Sequence, residues 1–295
     1  VKQRLGLDYE SLRSVNPRII LASISGFGQD GPYAKRPGFD QIAQGMGGLM
    51  SITGEPGRGP MRVGIPIADL TAGLFCALGI LTALLEREKS GEGQWLHTSL
   101  LQAQAFMLDF QAARYLMEGD TAGQAGNEHP TSVPTNRYQT ADGAINIAVA
   151  GEVIWQRFCK AIGKAEWPND PAYRSNAERE ANRQELNARI EAITVTKTSA
   201  EWVDLLLEAG VPCGPIYRID EMFADPQVQH LEVAERMDSD AFGETKALAQ
   251  PIRMARTPSR ITSPPPGRGA DTDELLKELG LCEAEIDTLR TRSVI

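Results

Sequence analysis

The stretch that decides the fold of this chain is residues 64–87, which read GIPIADLTAGLFCALGILTALLER. An extended segment interrupted by Pro66 leads there into the most apolar predicted helix, from Leu70 to about Arg87. Asp69 lies at the junction, where free backbone N–H groups and the positive end of the helix dipole stabilise a carboxylate. We therefore expect the chemistry at Asp69, which is either an N-cap alone or a cap that also acts as a nucleophile.

The composition is that of an ordinary soluble globular protein, with 42% hydrophobic and 23% charged residues among 295. A formal charge of −9 argues against nucleic acid and anionic membranes as partners, because both bind clustered lysines and arginines. The longest apolar run, at 70–85, is shorter than the roughly 20 residues of a membrane span. Four cysteines without a CxxC pair are typical of a reducing cytoplasm, and three widely spaced histidines predict no metal site.

A strand at 18–25 is followed by a glycine-rich loop. The strand is apolar almost throughout, which is typical of a parallel sheet buried on both faces. The loop, GFGQDG at 26–31, matches the GxGxxG pattern of dinucleotide-binding proteins. That pattern requires a helix directly after its last glycine, whereas Pro32 and Pro37-Gly38 delay the next predicted helix to 39–52. We therefore predict no nicotinamide cofactor, and a plain loop of the kind that still forms ligand sites at strand ends.

The second half of the chain begins with another apolar helix, predicted at 100–118. A helix that is apolar on several sides lies in a large core or in a subunit interface. Residues 119–134 are rich in Gly, Pro, Thr and Asn and mark a boundary or an active-site loop, and a hairpin with an Asp142-Gly143 turn follows at 137–149. Further helices are predicted at 152–162, 174–195 and 199–209 and, after an extended stretch beyond His230, at 271–289.

Six ordered segments, at 16–28, 64–73, 86–94, 170–173, 209–215 and 272–280, resemble class III CoA-transferases, the CaiB/BaiF family. The resemblance extends over essentially the whole chain and implies an α/β fold. A large open-sheet, Rossmann-like domain is expected from residues 1–120 and 229–295, with a linker and a smaller α+β domain inserted at 121–228. Roughly the first hundred residues of the family are absent, so the chain is expected to be a fragment. Family members form interlocked homodimers, and the apolar helix at 100–118 is consistent with such an interface.

The resemblance also implies a mechanism for Asp69. Its carboxylate attacks an acyl-CoA thioester, the departing CoA thiolate returns to form an aspartyl-CoA thioester, and a second carboxylic acid collects the CoA. Asp40 matches a position at which some transferases carry a supporting acid, or it is only the first turn of its helix. Related α-methylacyl-CoA racemases have a histidine base where this chain has Phe39, which cannot move a proton. Transfer is therefore expected, with racemisation or a folded but inactive fragment as the alternatives.

The remaining site residues also rest on the resemblance. Formyl-CoA transferases close their site with a tetraglycine loop, and the matching stretch here contains Gly126, Asn127 and His129. The loss of glycines favours an acid bulkier than formate or oxalate, such as a dicarboxylate or a carnitine-like acid, with His129 either touching it or facing solvent. The residues assigned to coenzyme A, the one cofactor expected, are Arg4, Leu5, Lys35 and Arg36. Ordinary surface charge is the alternative for the basic ones. We expect a cytoplasmic homodimer whose substrates are an acyl-CoA and a free carboxylic acid.

Overall fold

The computed structural model describes residues 2–239 and 242–295. The chain divides into two compact units, the first ending at Pro215 and the second beginning at Ile216. The division into residues 1–120, 121–228 and 229–295 that the sequence suggests stays a prediction.

The elements of the first unit are ten helices and five strands among its described residues. The helices are α1 (Tyr9–Val15), α2 (Asp40–Met46), α3 (Leu49–Ile52), α4 (Ile67–Ser90), α5 (Leu100–Phe106), α6 (Phe110–Glu118), α7 (Glu152–Ala161), α8 (Asn176–Ala181), α9 (Arg183–Thr194) and α10 (Ser199–Glu208). The strands are β1 (Leu21–Ser25), β2 (Trp95–Ser99), β3 (Thr135–Gln139), β4 (Ala144–Ala148) and β5 (Cys213–Pro215). Short 3-10 turns lie at Gln3–Leu5 and Trp167–Asn169.

The first sheet is a parallel pair, β1 with β2, in which Leu21 lies opposite Trp95. The predicted strand at 18–25 and its parallel pairing are therefore confirmed over residues 21–25. The expected burial on both faces is wrong, because no residue of β1 is buried and Ile24 is 47% exposed. After β1 the glycine-rich loop enters no helix until α2, at Asp40. Its backbone closes on the Pro37-Gly38 turn, because a Cβ added to Gly26 would lie 2.9 Å from the Cα of Gly38. Only glycine allows two backbones to come this close.

Helix α4 joins the two parallel strands and is longer than predicted. It has 24 residues, and its small buried side chains, such as Ala68, Ala72 and Ala83, let β1, β2, α2 and α5 approach one side of it. The expectation that this segment is too short for a membrane span is wrong, because α4 has 24 residues and is by length and composition alone apolar enough to cross a membrane. A single helix of this kind is weak evidence for a membrane span, and 28% of its most apolar 18 residues is buried.

Several helices that the sequence predicts as continuous are divided in two. The helix expected at 174–195 becomes α8 and α9, and two others are divided at a left-handed residue. The helix expected at 39–52 is interrupted at Gly48, whose φ of +83° is left-handed, and becomes α2 and α3. The helix expected at 100–118 is interrupted before Phe110, where Asp109 has a φ of +47°, and becomes α5 and α6. A left-handed residue ends the run of i to i−4 hydrogen bonds, so the chain changes direction at both points.

The larger hydrophobic cluster lies in the second half of the first unit. There β3, β4 and β5 form an antiparallel sheet in that order, and α7, α9 and α10 pack with it. The predicted hairpin is confirmed, with Thr140 N–H donating to the Gly143 carbonyl across the turn at 3.0 Å. Large side chains such as Trp155, Phe158 and Tyr138 are fully buried, so this α+β region has a core of its own.

The second unit contains four helices and one antiparallel strand pair among its described residues. These elements are α11 (Ile219–Ala224), α12 (Pro226–His230), β6 (Ala234–Ser239), β7 (Gly243–Leu248), α13 (Thr272–Glu278) and α14 (Glu283–Thr291). The extended stretch predicted beyond His230 is the β6 and β7 pair. The helix predicted at 271–289 is divided into α13 and α14 at Gly280, whose left-handed φ of +92° follows the end of α13.

Candidate active site

Asp69 is the third residue of α4, and its N-cap is Pro66. The expectation that Asp69 caps the helix is therefore wrong, because the helix begins at Ile67 rather than at Leu70. An acid at the third helical position often reaches back to the N–H of the N-cap residue, but a proline has no N–H to offer. The Asp69 side chain is exposed and accepts no hydrogen bond from the residues that the structure describes.

Asp40 caps α4 in its place. Asp40 is the buried first residue of α2, and its Oδ1 accepts a hydrogen bond from the Ala68 N–H at 2.9 Å. Its Oδ2 accepts from Gln44 Nε2 at 2.7 Å, and Gln44 bonds to Val63 N–H at 3.0 Å and to the Ile65 carbonyl at 3.2 Å. The two side chains thus fix the extended segment that leads into α4. Asp40 lies in the first turn of its own helix, as one interpretation had it, and its part in catalysis stays a prediction.

The predicted substrate loop is docked on the turn before that extended segment. Gly126 has a left-handed φ of +61°, and its N–H donates to the Gly54 carbonyl at 3.0 Å. Gln124 Nε2 donates to the carbonyls of Thr53 and Gly59, at 2.7 and 2.6 Å. These bonds join the loop to the chain that continues through residues 63–68 into α4.

His129 in this loop has a defined tautomer. Its Nδ1 accepts hydrogen bonds from the backbone N–H groups of Thr131 at 3.2 Å and Ser132 at 3.0 Å. An atom that accepts two N–H groups carries no proton, so the ring proton is on Nε2. The ring stacks on Phe110 with centroids 6.0 Å apart, and Nε2 has no acceptor among the described residues. His129 therefore offers a single N–H donor on a half-buried ring.

The carbonyls on the far side of the loop are held by three side chains of α8 and α9. Arg183 donates to the carbonyls of His129 and Pro130, Asn176 to that of Thr131, and Arg179 to that of Val133, at 2.7 to 2.9 Å. Arg179 is itself fully buried and forms a bidentate pair with Glu152 at 2.9 and 3.1 Å. Sequence reasoning missed these residues; the signal was the spacing of three between Asn176 and Arg179, which puts both on one side of α8.

A second polar chain runs beside the loop. Burial, and after it the charge of Glu128, raises the pKa of Tyr138 far above its usual range, so that its hydroxyl stays protonated. That hydroxyl donates to Asn187 Oδ1 at 2.6 Å, and Asn187 donates to Glu128 at 2.8 Å. Glu128 is thereby oriented next to Asn127, which is exposed.

Of the residues expected to bind coenzyme A, Lys35 lines a cleft of about 590 Å³. Lys2 and Trp95 line it as well, with the Lys2 ammonium 5.0 Å from the centre of a Trp95 ring and 2.6 Å from Gln29 Oε1. Lys2 is a cationic residue that sequence reasoning did not single out.

The other three expected residues do not line that cleft. The Arg36 guanidinium lies over the Tyr33 ring, 3.6 Å from its centre. Arg4 and Leu5 are exposed in the 3-10 turn near the start of the chain. Among residues 2–239 and 242–295, no group of three His, Cys, Asp or Glu side chains is placed to hold a metal ion.

Comparison with known proteins decides the family. The family model described as CoA-transferase family III matches residues 1–272. The chain belongs to CoA-transferase family III. The predicted family is confirmed, and the enzyme class is CoA-transferase.

Two curated relatives of this CoA-transferase match almost all of the chain. Succinate–glutarate CoA-transferase of Agrobacterium fabrum is 38% identical over 280 residues, which are 95% of this chain and 70% of that protein. Succinyl-CoA–D-citramalate CoA-transferase of Chloroflexus aurantiacus is 34% identical over 292 residues, 98% of this chain and 73% of that protein.

A solved structure agrees with the fold of this CoA-transferase. A CaiB/BaiF family protein from Brucella suis superimposes with a TM-score of 0.80 at 34% identity, covering 94% of this chain and 72% of that one. The predicted α/β fold class is therefore confirmed.

Proposed function

We propose that this CoA-transferase carries CoA on Asp69. The Asp69 carboxylate attacks the thioester carbonyl of the donor, which gives a mixed anhydride and releases CoA thiolate. The thiolate then attacks the Asp69 carbonyl carbon, which releases the donor's acid and leaves an aspartyl-CoA thioester. The acceptor carboxylate repeats these steps in reverse order, so that CoA leaves on the acceptor and Asp69 is regenerated.

The observation that carries this proposal is that the Asp69 carboxylate is exposed and unbonded while Asp40 supplies the cap of α4. A nucleophile must not be occupied by a structural hydrogen bond when substrate arrives. The backbone N–H of Asp69 also has no acceptor among the described residues, which leaves it free to stabilise an oxyanion. Phe39, 78% exposed at the N-cap of α2, offers no base for racemisation.

Substrates and partners belong to the same proposal. The relatives are named for succinate, glutarate and citramalate, which supports a dicarboxylic acid as donor or acceptor. Coenzyme A is assigned to Lys35 and Arg36, with Arg4 and Leu5 at the nucleotide end. The enzyme is proposed to act as a cytoplasmic, interlocked homodimer.

The experiment is to trap the intermediate. Incubation with succinyl-CoA and hydroxylamine, followed by peptide mass spectrometry, is expected to give a hydroxamate on Asp69. Asp69→Asn is expected to lose both the hydroxamate and CoA exchange. The matched control is Glu86→Gln, an exposed carboxylate near the other end of α4, which is expected to keep both. An Asp69→Asn variant that still exchanges CoA would exclude the proposal.

A further inference from the structure

A polar cleft of about 770 Å³ lies beside the predicted substrate loop. Its walls come from the turn at 55–56, helix α6, the loop at 121–130, strand β3, the end of α8 and the start of α9, all within the first unit. This volume falls in the usual range of small-molecule sites, of about 300–1,000 Å³. Charged and amide side chains dominate the walls, so the cleft suits a small polar ligand.

Three arginines line this cleft, and two of them are neutralised within the protein. Arg114 pairs with Asp120, and Arg183 lies 3.6 Å from Glu128 and 3.9 Å from Glu180. Arg183 is also committed to the loop carbonyls described above. Neither guanidinium is therefore free to bind a ligand's charge.

The third arginine, Arg137, has no carboxylate partner among the described residues. It is exposed on β3 and donates from Nη2 to Gln139 Oε1 at 2.9 Å. Its remaining N–H groups are therefore available to a ligand. A guanidinium presents a planar pair of donors that matches a carboxylate, and two parallel hydrogen bonds fix the orientation of the acid.

The carboxylate of Glu55 limits how much negative charge a ligand can bring into the cleft. Glu55 lies against Gly126, where an added Cβ would come within 2.7 Å of its Oε2, and Glu55 has no cationic partner among the described residues. A second bound carboxylate would meet this negative charge. Within the cleft, a ligand carboxylate is therefore favoured next to Arg137 and disfavoured next to Glu55.

We propose that Arg137 binds the non-reacting carboxylate of a dicarboxylic acid substrate. This rests on the proposed function, in which the other carboxylate of the acid exchanges CoA with Asp69. A monocarboxylic acid of the same length lacks the group that Arg137 holds. Arg137 thus determines specificity for dicarboxylic acids.

The kinetic test compares glutarate with pentanoate, a monocarboxylate of equal chain length, as acceptors of CoA from succinyl-CoA. Arg137→Gln is expected to raise the KM for glutarate at least tenfold and to leave the KM for pentanoate within about twofold. Arg137→Lys, which keeps the charge without the planar pair of donors, is expected to fall between wild type and Arg137→Gln. Arg189→Gln removes an exposed arginine of α9 that pairs with Glu185 and is the matched control. An unchanged KM for glutarate, or equal rises for both acids, overturns the proposal.

A binding measurement separates this proposal from the one for Asp69. Equilibrium dialysis with labelled glutarate on the full chain is expected to show binding to wild type and Asp69→Asn, and at least tenfold weaker binding to Arg137→Gln. If this pattern holds while Asp69→Asn still exchanges CoA, the nucleophile is wrong and the Arg137 site stands. If Asp69 forms its hydroxamate but Arg137→Gln binds glutarate as tightly as wild type, the proposal for Arg137 is wrong and the one for Asp69 stands.

Discussion

The carboxylates of Asp40 and Asp69 lie at the start of α4, and they differ in their hydrogen bonding. Asp40 is buried and bonded at both oxygens, to Ala68 and Gln44, so it is fixed in place. Asp69, one residue beyond Ala68, carries a carboxylate without such bonds. Since Asp40 satisfies an N–H group of the first helical turn, Asp69 needs no capping role and its side chain stays available for chemistry.

The tautomer of His129 makes a prediction for two substitutions. His129→Asn can keep an acceptor for the N–H groups of Thr131 and Ser132 but loses the Nε2–H donor. His129→Gln can place an amide N–H near the Nε2 position but disturbs the turn.

If Nε2–H touches the acyl group or the acceptor, His129→Asn should lower kcat/KM by about tenfold to a hundredfold, the effect of losing roughly 1.5–3 kcal/mol. His129→Gln should retain more activity, while His129→Asn should have the higher melting temperature of the two. Steady-state kinetics and thermal unfolding check this, and wild-type activity in His129→Asn would mean that the imidazole only faces solvent.

The start of α4 also makes a prediction about stability. Asp40→Ala would leave the Ala68 N–H without its acceptor in a buried place, and the Gln44 amide would keep only the Ile65 carbonyl. The expected cost is about 1–3 kcal/mol in the free energy of unfolding. Asp40→Asn keeps one oxygen acceptor and should cost less. Asp8→Ala removes the N-cap of the exposed helix α1, with a typical cost of about 1 kcal/mol, and is the control. Urea unfolding measures all three, and an Asp40→Ala variant as stable as wild type would contradict the capping role.

The elements that the sequence predicted well are those specified by neighbouring residues. The hairpin at 137–149 has an Asp142-Gly143 turn between alternating side chains, so its register is local. The breaks before α3 and α6 were missed, because runs of apolar residues favour helix through both. At the first break Gly47 is close-packed, since a Cβ there would lie 2.6 Å from Gln104 Cγ, in a helix far along the chain. Packing against a distant segment therefore favours the first bend, and local helix propensity does not include such contacts.

In the candidate site, too, the sequence predicted the residues that local patterns specify and missed those that distant segments bring together. Asp69, Asp40 and the loop at 126–129 were found from local patterns and from the family resemblance. Arg137, Lys2 and Arg179 were not, because their importance depends on clefts and contacts that distant segments assemble. The capping of Ala68 by Asp40 joins residues 28 apart in sequence, which no pattern around Asp69 reveals.

At the scale of the whole molecule, the exposed side of α4 carries an apolar stripe. It consists of Leu70, Leu74, Leu78, Leu81 and Leu85, each at least 50% exposed. In α6, Leu116 and Met117 are 79% and 84% exposed. Contiguous exposed apolar side chains mark interaction sites, and burying one leucine contributes about 1.5–3 kcal/mol. The proposed homodimer supplies a partner for this surface.

If this apolar stripe is the dimer contact, a charged side chain placed in it should weaken the homodimer. Wild type should elute in size-exclusion chromatography with light scattering at twice the 32.1 kDa of one chain. Leu78→Lys, in the middle of the stripe, should raise the dimer dissociation constant at least tenfold, because an unpaired ammonium would be buried in the contact. Leu279→Lys changes a leucine that is 77% exposed near the end of α13, outside the stripe, and should leave the dimer unchanged. A wild-type chain that elutes at 32.1 kDa would contradict the homodimer itself. A dimer that Leu78→Lys leaves intact would instead place the contact elsewhere, with the exposed face of α6 as the next surface to charge.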